Sequence, residues 1–334
     1  MNLTEDAYHA YPAWSYSIIA RYAKDGFSSL ATLHDPVVAT PSMEFGSLFD
    51  SIITKGKKTL DEYKVVSISV PEAERKALDY ISTATHMSFD DIPAEDLMRY
   101  CDQCQYQTRW GYDARFKHLV TYQEYYDAKC SGKKLVSEED WSDAMEMFKK
   151  FRDNEYLRNL FGTKDEFGIE YIYQSQFCEE YTLEKSGRTV SIKIMPDLIK
   201  IDHNEKAIQP VDLKTSAIPA YSFWENFVKF RYDIQAGLYT DILTLVINKD
   251  PELKDYTIKK YLFADISRSD KEPVPWIYNQ FVPFSYTKNG QTYTYKGWEQ
   301  LLEEILDYEE TQAKVPSYIS TTEPNDIIEA LSRK

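Results

Sequence analysis

The sequence TVSIKIMPDLIKIDHNEKAIQPVDLKTS, residues 189–216, decides the fold. Two segments, residues 190–201 and 207–215, are rich in Val, Ile and Leu, and both belong to strands by this composition. The polar stretch between them, residues 203–206, suits a turn. This pattern predicts a β-hairpin whose two strands are neighbours in a sheet.

Charged side chains share one face of the second strand. Because side chains alternate along a strand, Val211 and Leu213 point to one side. Asp212 and Lys214 therefore point together to the other side. The pattern predicts a carboxylate and an ammonium group side by side at the surface of an otherwise apolar strand.

The first strand contains Pro196 followed by Asp197. Proline cannot donate to a strand ladder, so it indicates a bulge, an edge or a bend, which can turn Asp197 toward Asp212. Two neighbouring carboxylates are hard oxygen ligands that suit Mg²⁺ or Mn²⁺. Lys214 beside them can orient or deprotonate a water molecule, or stabilise charge on a phosphate.

A structural ion pair is the alternative interpretation of Asp212 and Lys214. An acid followed two residues later by lysine is a frequent pattern, and most examples are solvated surface pairs. The chain has others at Glu62/Lys64, Glu74/Lys76, Asp127/Lys129 and Glu252/Lys254.

A helix is predicted after the hairpin, over residues 221–245. Its apolar stripe consists of Ile234, Leu238, Ile242 and Leu245. Gln235 and Tyr239 are four residues apart, so they lie together on an adjoining face.

The order Pro-Asp, hairpin, Asp-x-Lys and a helix with Gln-x-x-x-Tyr resembles the PD-(D/E)XK nuclease superfamily, in particular its RecB-like and exodeoxyribonuclease VIII (RecE-like) members. The resemblance is clearest over residues 176–266. It implies an α/β fold of the restriction-endonuclease type, with a mixed curved sheet flanked by helices and an all-helical insertion. It also implies that the catalytic residues are Asp197, Asp212 and Lys214.

The resemblance further implies a metal site that holds Mg²⁺, with Mn²⁺ as an alternative. Its ligands would be Asp197, Asp212 and the carbonyl of Leu213. Gln235 and Tyr239 would contact the DNA strand near the metal.

Two more acidic residues occupy places where related nucleases have metal ligands. In the RecB-like group, a helix with Gly-x-x-x-His supplies a histidine ligand. The corresponding helix here, residues 43–54, has Gly46 and then Asp50, which would replace that histidine. In the RecE-like group, a glutamate upstream of the Pro-Asp is linked to the metal, and we assign this role to Glu180 in preference to Glu179.

The net charge of −15 and the pI near 4.9 argue against a nucleic-acid-binding protein. A nuclease can nevertheless confine its positive charge to a channel. Lys229 and Arg231 are close in sequence to Gln235, so we expect them to line the DNA path. The resembled exonucleases form rings around DNA, which implies a homo-oligomer here and a single-strand annealing protein as a partner.

We predict an N-terminal helical region over residues 1–165, a nuclease core over residues 166–315 and a polar tail over residues 316–334. Other predicted elements are a helix at 15–33, mostly helix at 70–161, strands at 168–182, 256–266 and 276–286, and a helix at 297–313. In the 70–161 block, aromatic residues suit packing between helices or the stacking of bases. These are Tyr106, Trp110, Tyr112, Tyr122, Tyr125 and Tyr126.

Several other classes of protein are not supported by the sequence. The chain has eleven glycines and neither of the glycine-rich motifs that bind nucleotide phosphates. Its four cysteines are too few for a disulfide framework, Cys101 and Cys104 form a lone Cys-x-x-Cys, and the five histidines form no zinc motif. The sequence lacks a signal peptide and an apolar run of about 18 residues, so we expect no membrane association and a cytoplasmic location.

The sequence therefore predicts a Mg²⁺-dependent DNA exonuclease that acts in phage-type recombination or DNA repair. Two alternatives stay open. One is a catalytically silent DNA-binding or assembly subunit of the same fold, because fold alone does not establish activity. The other is a structural protein in which Asp212 and Lys214 form a buried ion pair.

Overall fold

The computed structural model describes residues 5–67, 69–162, 167–279, 283–288 and 290–311. The described residues form two compact units, those within 1–39 and 150–334 and those within 40–149. This division differs from the predicted one, because residues 5–39 belong with the sheet and not with the helical region. The predicted polar tail, residues 316–334, lies outside the described residues.

The helices are α1 (Glu5–Ala10), α2 (Tyr16–Asp25), α3 (Pro41–Lys55), α4 (Thr59–Glu62), α5 (Glu72–Ala84), α6 (Ala94–Gln103), α7 (Tyr112–Leu119), α8 (Gln123–Cys130), α9 (Glu138–Asp153), α10 (Glu155–Leu160), α11 (Phe223–Phe230), α12 (Tyr232–Lys249) and α13 (Trp298–Thr311). The strands are β1 (Tyr63–Val66), β2 (Lys134–Ser137), β3 (Ile169–Tyr173), β4 (Phe177–Thr182), β5 (Thr189–Ile194), β6 (Leu198–Asp202), β7 (Ala207–Ser216), β8 (Thr257–Ile258), β9 (Leu262–Ser267), β10 (Pro273–Ile277), β11 (Phe284–Lys288) and β12 (Gln291–Tyr295). The fold is mixed α/β.

The central sheet of the first unit is mixed. Among the described residues, its strand order is β10-β9-β7-β6-β3, and β8 pairs with β7 beyond this path. Strands β6 and β7 form the predicted antiparallel hairpin, in which Leu198 pairs with Val211. Strand β9 lies parallel to β7 on the other side. The central position of β7 explains its apolar composition, since both of its edges are paired.

The predicted strand over residues 168–182 is divided into β3 and β4. Tyr173 pairs with Leu198 and Phe177 pairs with Ile194, so one register runs through both halves. The interruption lies opposite Pro196, which agrees with the expected break at this proline. At the break, the Gln174 amide donates to the Asp197 carbonyl at 3.1 Å.

The predicted helix over residues 221–245 is two helices. Arg231 has a left-handed backbone, with φ of 56°, and separates α11 from α12. Ile234, Leu238 and Ile242 of α12 are buried in the core of the sheet unit, as their spacing predicts.

A segment before α2, residues 8–14, is hydrogen-bonded to β5. Trp14 pairs with Ile192, and the Trp14 amide donates to the Ser191 carbonyl at 2.9 Å. The buried Lys193 Nζ donates to the carbonyls of Tyr8, His9 and Tyr11, each at 2.8 Å. The predicted helix at 15–33 ends as α2 at Asp25, and a 3-10 helix over Gly26–Thr32 follows.

The second unit, residues 40–149, is mostly helical, as predicted. It also contains a short parallel pair of strands, β1 and β2, which the sequence did not indicate. Of the six aromatic residues named above, Tyr106, Tyr125 and Tyr126 are buried in the core of this unit, and the hydroxyl group of each makes hydrogen bonds there. Trp110 is exposed.

Within the described residues, no helix combines the length and the hydropathy that a membrane span requires.

Candidate active site

The hairpin brings Asp197 close to Asp212. Leu198 pairs with Val211, and Asp197 and Asp212 are the next residue outward on each side of this pair. The Leu213 amide donates to Asp197 Oδ2 at 2.7 Å. Within an extended strand, the N–H and C=O of one residue point to the same side. The Leu213 carbonyl therefore faces the same edge as Asp197, and the three predicted oxygen donors are neighbours.

Lys214 lies against Asp212. Its Nζ is 2.5 Å from Asp212 Oδ2 and 4.6 Å from the centroid of the Tyr232 ring. Burial lowers the pKa of Lys214, but Asp212, Tyr232 and Asp197 outweigh this effect and raise it above its ordinary value. Lys214 is therefore an ammonium group in this arrangement, which favours charge stabilisation over a role as a base.

Gln235 holds Asp212 from the helix side. Gln235 Nε2 donates to Asp212 Oδ1 at 2.5 Å, and Asp212 is 1% exposed. The spacing of Gln235 and Tyr239 predicted a shared face, and the two residues do lie together at the carboxylates. The pKa of Tyr239 is raised well above its ordinary value by burial, by Tyr8 and by Asp212, so its hydroxyl keeps its proton. A contact of Gln235 and Tyr239 with DNA stays a prediction.

Two more phenols approach Asp212, and the sequence did not indicate them. The Tyr16 hydroxyl donates to the Phe230 carbonyl at 2.7 Å, and burial, Tyr232 and Asp212 raise the pKa of Tyr16. Burial and then Asp212 likewise raise the pKa of Tyr261. Tyr16 follows the hydrogen-bonded N-terminal segment, so its place at the site depends on a long-range contact that no local pattern shows.

The donor set fits a Mg²⁺ ion. Asp212 Oδ2 is buried and has the Lys214 ammonium as its counter-ion. Gln235 Oε1 is also buried without a hydrogen-bond donor in this part of the chain. No group of three or more His, Cys, Asp or Glu side chains is placed to hold a metal in the described ranges. Mg²⁺ is commonly held by one or two carboxylates together with water, so Asp197 and Asp212 suffice.

Glu180 does not belong to this site. It pairs with Ser191 on β5, and its side chain is exposed. Ser191 is six residues from Asp197, a distance of roughly 20 Å along an extended chain. The alternative, Glu179, forms an ion pair with Lys249. The prediction that Glu180 is a metal ligand is therefore wrong, because strand register could not be fixed from sequence.

Asp50 lies on α3 in the helical unit. Thr40 caps the start of this helix, where its side chain accepts from the Met43 amide. The Asp50 carbonyl accepts from Thr54 Oγ1 at 2.8 Å. The helix is the one that the sequence predicted, and the role of Asp50 as a metal ligand stays a prediction.

Asp265 is a buried carboxyl beside the site that the sequence analysis missed. It pairs with Lys214 across the parallel strands β7 and β9, and it is 0% exposed. Burial raises its pKa to about 8. The sequence did contain a signal, a single acidic residue inside the apolar strand Leu262–Ser267. The Asp-x-Lys pattern does not include this residue.

The raised pKa of Asp265 predicts a pH-dependent stability. Between about pH 3.8 and 8, the carboxyl is ionised in the unfolded chain and protonated in the folded one. Folding then takes up a proton, so this group lowers the free energy of unfolding as pH rises, by about 1.4 kcal/mol per unit. Urea unfolding at pH 5.5 and 7.5 should show a fall in the wild type that Asp265→Asn reduces by about 3 kcal/mol. Equal pH dependence in both proteins would contradict the assignment.

Arg231 is part of the folded core and does not line a DNA path. It is 7% exposed. Its guanidinium donates to both carboxylate oxygens of Asp233 at 2.9 Å and to the Lys296 carbonyl at 2.6 Å. The prediction for Arg231 is corrected: the left-handed turn between α11 and α12 directs its side chain inward.

Arg231→Ala should lower the free energy of unfolding by about 3–5 kcal/mol, because it leaves Asp233 buried without its counter-charge. Lys229→Ala is the matched control. Lys229 is exposed, so its loss should change stability by less than about 0.5 kcal/mol. Urea unfolding of both variants makes the comparison, and equal effects would refute the structural role of Arg231.

Lys229 is exposed, and its contact with DNA stays a prediction. It lies on the exposed side of α11, and its Nζ is 5.1 Å from the centroid of the Phe230 ring. Because the Phe230 carbonyl accepts from Tyr16, which approaches Asp212, Lys229 lies on the helix that borders the site.

Comparisons with known proteins add little to this description. No protein family matches the chain, and no curated protein is similar to it. The crystal structure of SSO0001 is similar over 72% of this chain and 85% of that chain, with 14% sequence identity and a TM-score of 0.26. A likeness at that TM-score carries no argument about fold or function.

Proposed function

We propose that this chain is a Mg²⁺-dependent deoxyribonuclease of the PD-(D/E)XK type that acts as an exonuclease in phage-type recombination or DNA repair. One observation carries the proposal: at the end of the hairpin, the Asp197 carboxylate accepts from the Leu213 amide, next to Asp212, and Lys214 lies against Asp212. Gln235 from the following helix completes the arrangement by donating to Asp212. In the structural alternative, Asp212 and Lys214 form only an ion pair and Asp197 only accepts from the Leu213 amide; the proposal gives all three side chains one common role.

Each residue has a separate role in the proposed reaction. Asp197, Asp212 and the Leu213 carbonyl would hold the ion. When bound, Mg²⁺ or Mn²⁺ would supply a Lewis acid that activates water and offsets charge on the phosphate. Gln235 keeps the Asp212 carboxylate oriented. The Lys214 ammonium stabilises the negative charge that develops on the phosphate oxygens during the displacement.

Cleavage of two DNA substrates tests the proposal. End-labelled linear duplex and covalently closed circular DNA are incubated with the protein and Mg²⁺. Loss of label from the linear substrate with the circle intact supports an exonuclease, whereas a nicked circle indicates an endonuclease. If neither DNA is cut with Mg²⁺ or Mn²⁺ although the protein binds DNA, the silent-subunit alternative holds.

Lys229 offers a test of the DNA path. Lys229→Glu should weaken DNA binding about tenfold at low salt and reduce the slope of log affinity against log salt by about 1, since one phosphate contact is lost. Lys254→Glu, the same charge change at another exposed position, is the control. Fluorescence anisotropy with labelled duplex measures both. Equal losses in the two variants would mean that only net charge matters.

The net charge of −15 favours an oligomer as the active form. A freely diffusing acidic monomer is repelled by DNA, whereas a ring can gather positive residues in its channel. Digestion of one strand by such a homo-oligomer would leave single-stranded DNA, which a single-strand annealing protein would bind. Light scattering combined with a trap-DNA assay tests this, and a monomer that releases its substrate after each cut would exclude the ring.

A further inference from the structure

Lys214 lies between two carboxyl groups. Asp212, its present partner, is two residues earlier on β7. Asp265 is its direct neighbour on β9, in register and on the same face of the sheet. Adjacent strands are about 4.8 Å apart, so the four-carbon stem of a lysine can reach either carboxyl group by rotation.

Asp265 has no partner that accounts for its place in the core. It is fully buried, and its Oδ1 accepts no hydrogen bond from any described residue. Its Oδ2 lies 3.4 Å from Ser216 Oγ, at the limit of a hydrogen bond. The flanking Ala264 and Ile266 are buried apolar residues. A buried polar oxygen without a partner costs free energy, so folding alone does not explain why this position is an aspartate.

Binding of a divalent ion to Asp212 creates a need for a second partner for Lys214. Asp212 is a predicted ligand of the ion, and Lys214 now occupies one of its two carboxylate oxygens, Oδ2. A divalent ion and an ammonium group on one carboxylate repel each other. The lysine must then find another acceptor or remain buried without one, which is costly.

We propose that Asp265 is a positioning residue that receives the Lys214 ammonium when a divalent ion binds Asp212. Lys214 thus has two positions, one on each carboxyl group. Where the Asp265 carboxyl is protonated, its proton passes to water as the ammonium arrives, so that a carboxylate and an ammonium group pair. In the second position, the ammonium stays charged on the same face of the sheet while Asp212 is free for the ion. This inference rests on the proposed function, because it requires an ion at Asp212.

A double-mutant cycle in ion affinity tests the inference without DNA or turnover. Calorimetric titration with Mg²⁺ is made on the wild type, Asp265→Asn, Lys214→Ala and the double variant. Asn is the same size as Asp and carries no charge. Asp265→Asn should weaken Mg²⁺ binding about tenfold when Lys214 is present and leave it unchanged in the Lys214→Ala background. Asp241→Asn is the control, because Asp241 is a partly buried carboxyl group whose Oδ2 accepts a hydrogen bond from Trp298 Nε1 at 2.7 Å.

Each outcome decides the question. An Asp265→Asn effect that persists without Lys214, or no effect in either background, overturns the inference and leaves the proposed function intact. If the wild type binds neither Mg²⁺ nor Mn²⁺ at millimolar concentration, the proposed function fails and the inference fails with it.

A second measurement covers the case in which Asp265→Asn does not fold. The ¹³C signal of the Asp265 carboxyl group in the wild type should shift on addition of Mg²⁺, and Lys214→Ala should abolish that shift. A signal that does not move on saturation with Mg²⁺ would overturn the inference.

Discussion

Lys214→Ala should lower the rate of DNA hydrolysis by about a thousandfold, because it removes the charge that stabilises the phosphate in the transition state. The same change should strengthen Mg²⁺ binding, since Lys214 now competes for Asp212 Oδ2. A residue that acted as a metal ligand would show the opposite effect on ion affinity. Rates with saturating Mg²⁺ and calorimetric affinities for the ion separate the two roles.

Lys254→Ala is the control for this variant, because Lys254 is an exposed lysine on a turn. Its rate and its ion affinity should match those of the wild type. Wild-type turnover in Lys214→Ala would eliminate Lys214 from the mechanism, and weaker Mg²⁺ binding would show that it supports the ion directly.

Asp212→Asn should abolish Mg²⁺-dependent cleavage and also lower the free energy of unfolding by about 3 kcal/mol. Relief of repulsion between two carboxylates would stabilise the variant, but Asp212 is paired with a largely buried ammonium. Removing one partner leaves the other charge uncompensated, and this loss is larger than the relief. Urea unfolding without metal ions measures the effect.

The double variant Asp212→Asn/Lys214→Met distinguishes the cost of an unpaired buried charge from the cost of changed side-chain packing. It leaves neither charge in place, so its stability should return to within about 1 kcal/mol of the wild type. Asp212→Asn alone with wild-type stability would show that the ion pair contributes nothing to folding.

The sequence was sufficient for the centre of the site. Alternation along β7 placed Asp212 and Lys214 on one face, and Pro196 marked the break that brings Asp197 close to Asp212. Both are local properties of a strand and a proline, so a pattern of a few residues contains them. The spacing of Gln235 and Tyr239 was likewise a property of one helix.

Other features depended on contacts between distant segments. Glu180 was assigned wrongly because the register between β4 and β5 sets its distance from Asp197, and composition does not specify register. Arg231 was assigned to a surface because it follows another basic residue closely in sequence. The left-handed backbone at Arg231, which separates the two helices, cannot be predicted from that local sequence. Asp265 was missed because only the pairing of β9 with β7 places it beside Lys214.

The three bonds from Lys193 to the N-terminal segment have a consequence for synthesis on the ribosome. Tyr8 leaves the ribosome early, but the ammonium that holds it is 185 residues further along the chain. At typical rates of translation, the segment waits roughly 10–40 s for its partner. Tyr16, which follows the segment, reaches Asp212 no sooner, so a nascent chain cannot assemble this side of the candidate site until the hairpin has emerged. A long interval between two joining segments also slows refolding after denaturation, because closing so large a loop costs entropy before any contact compensates for it.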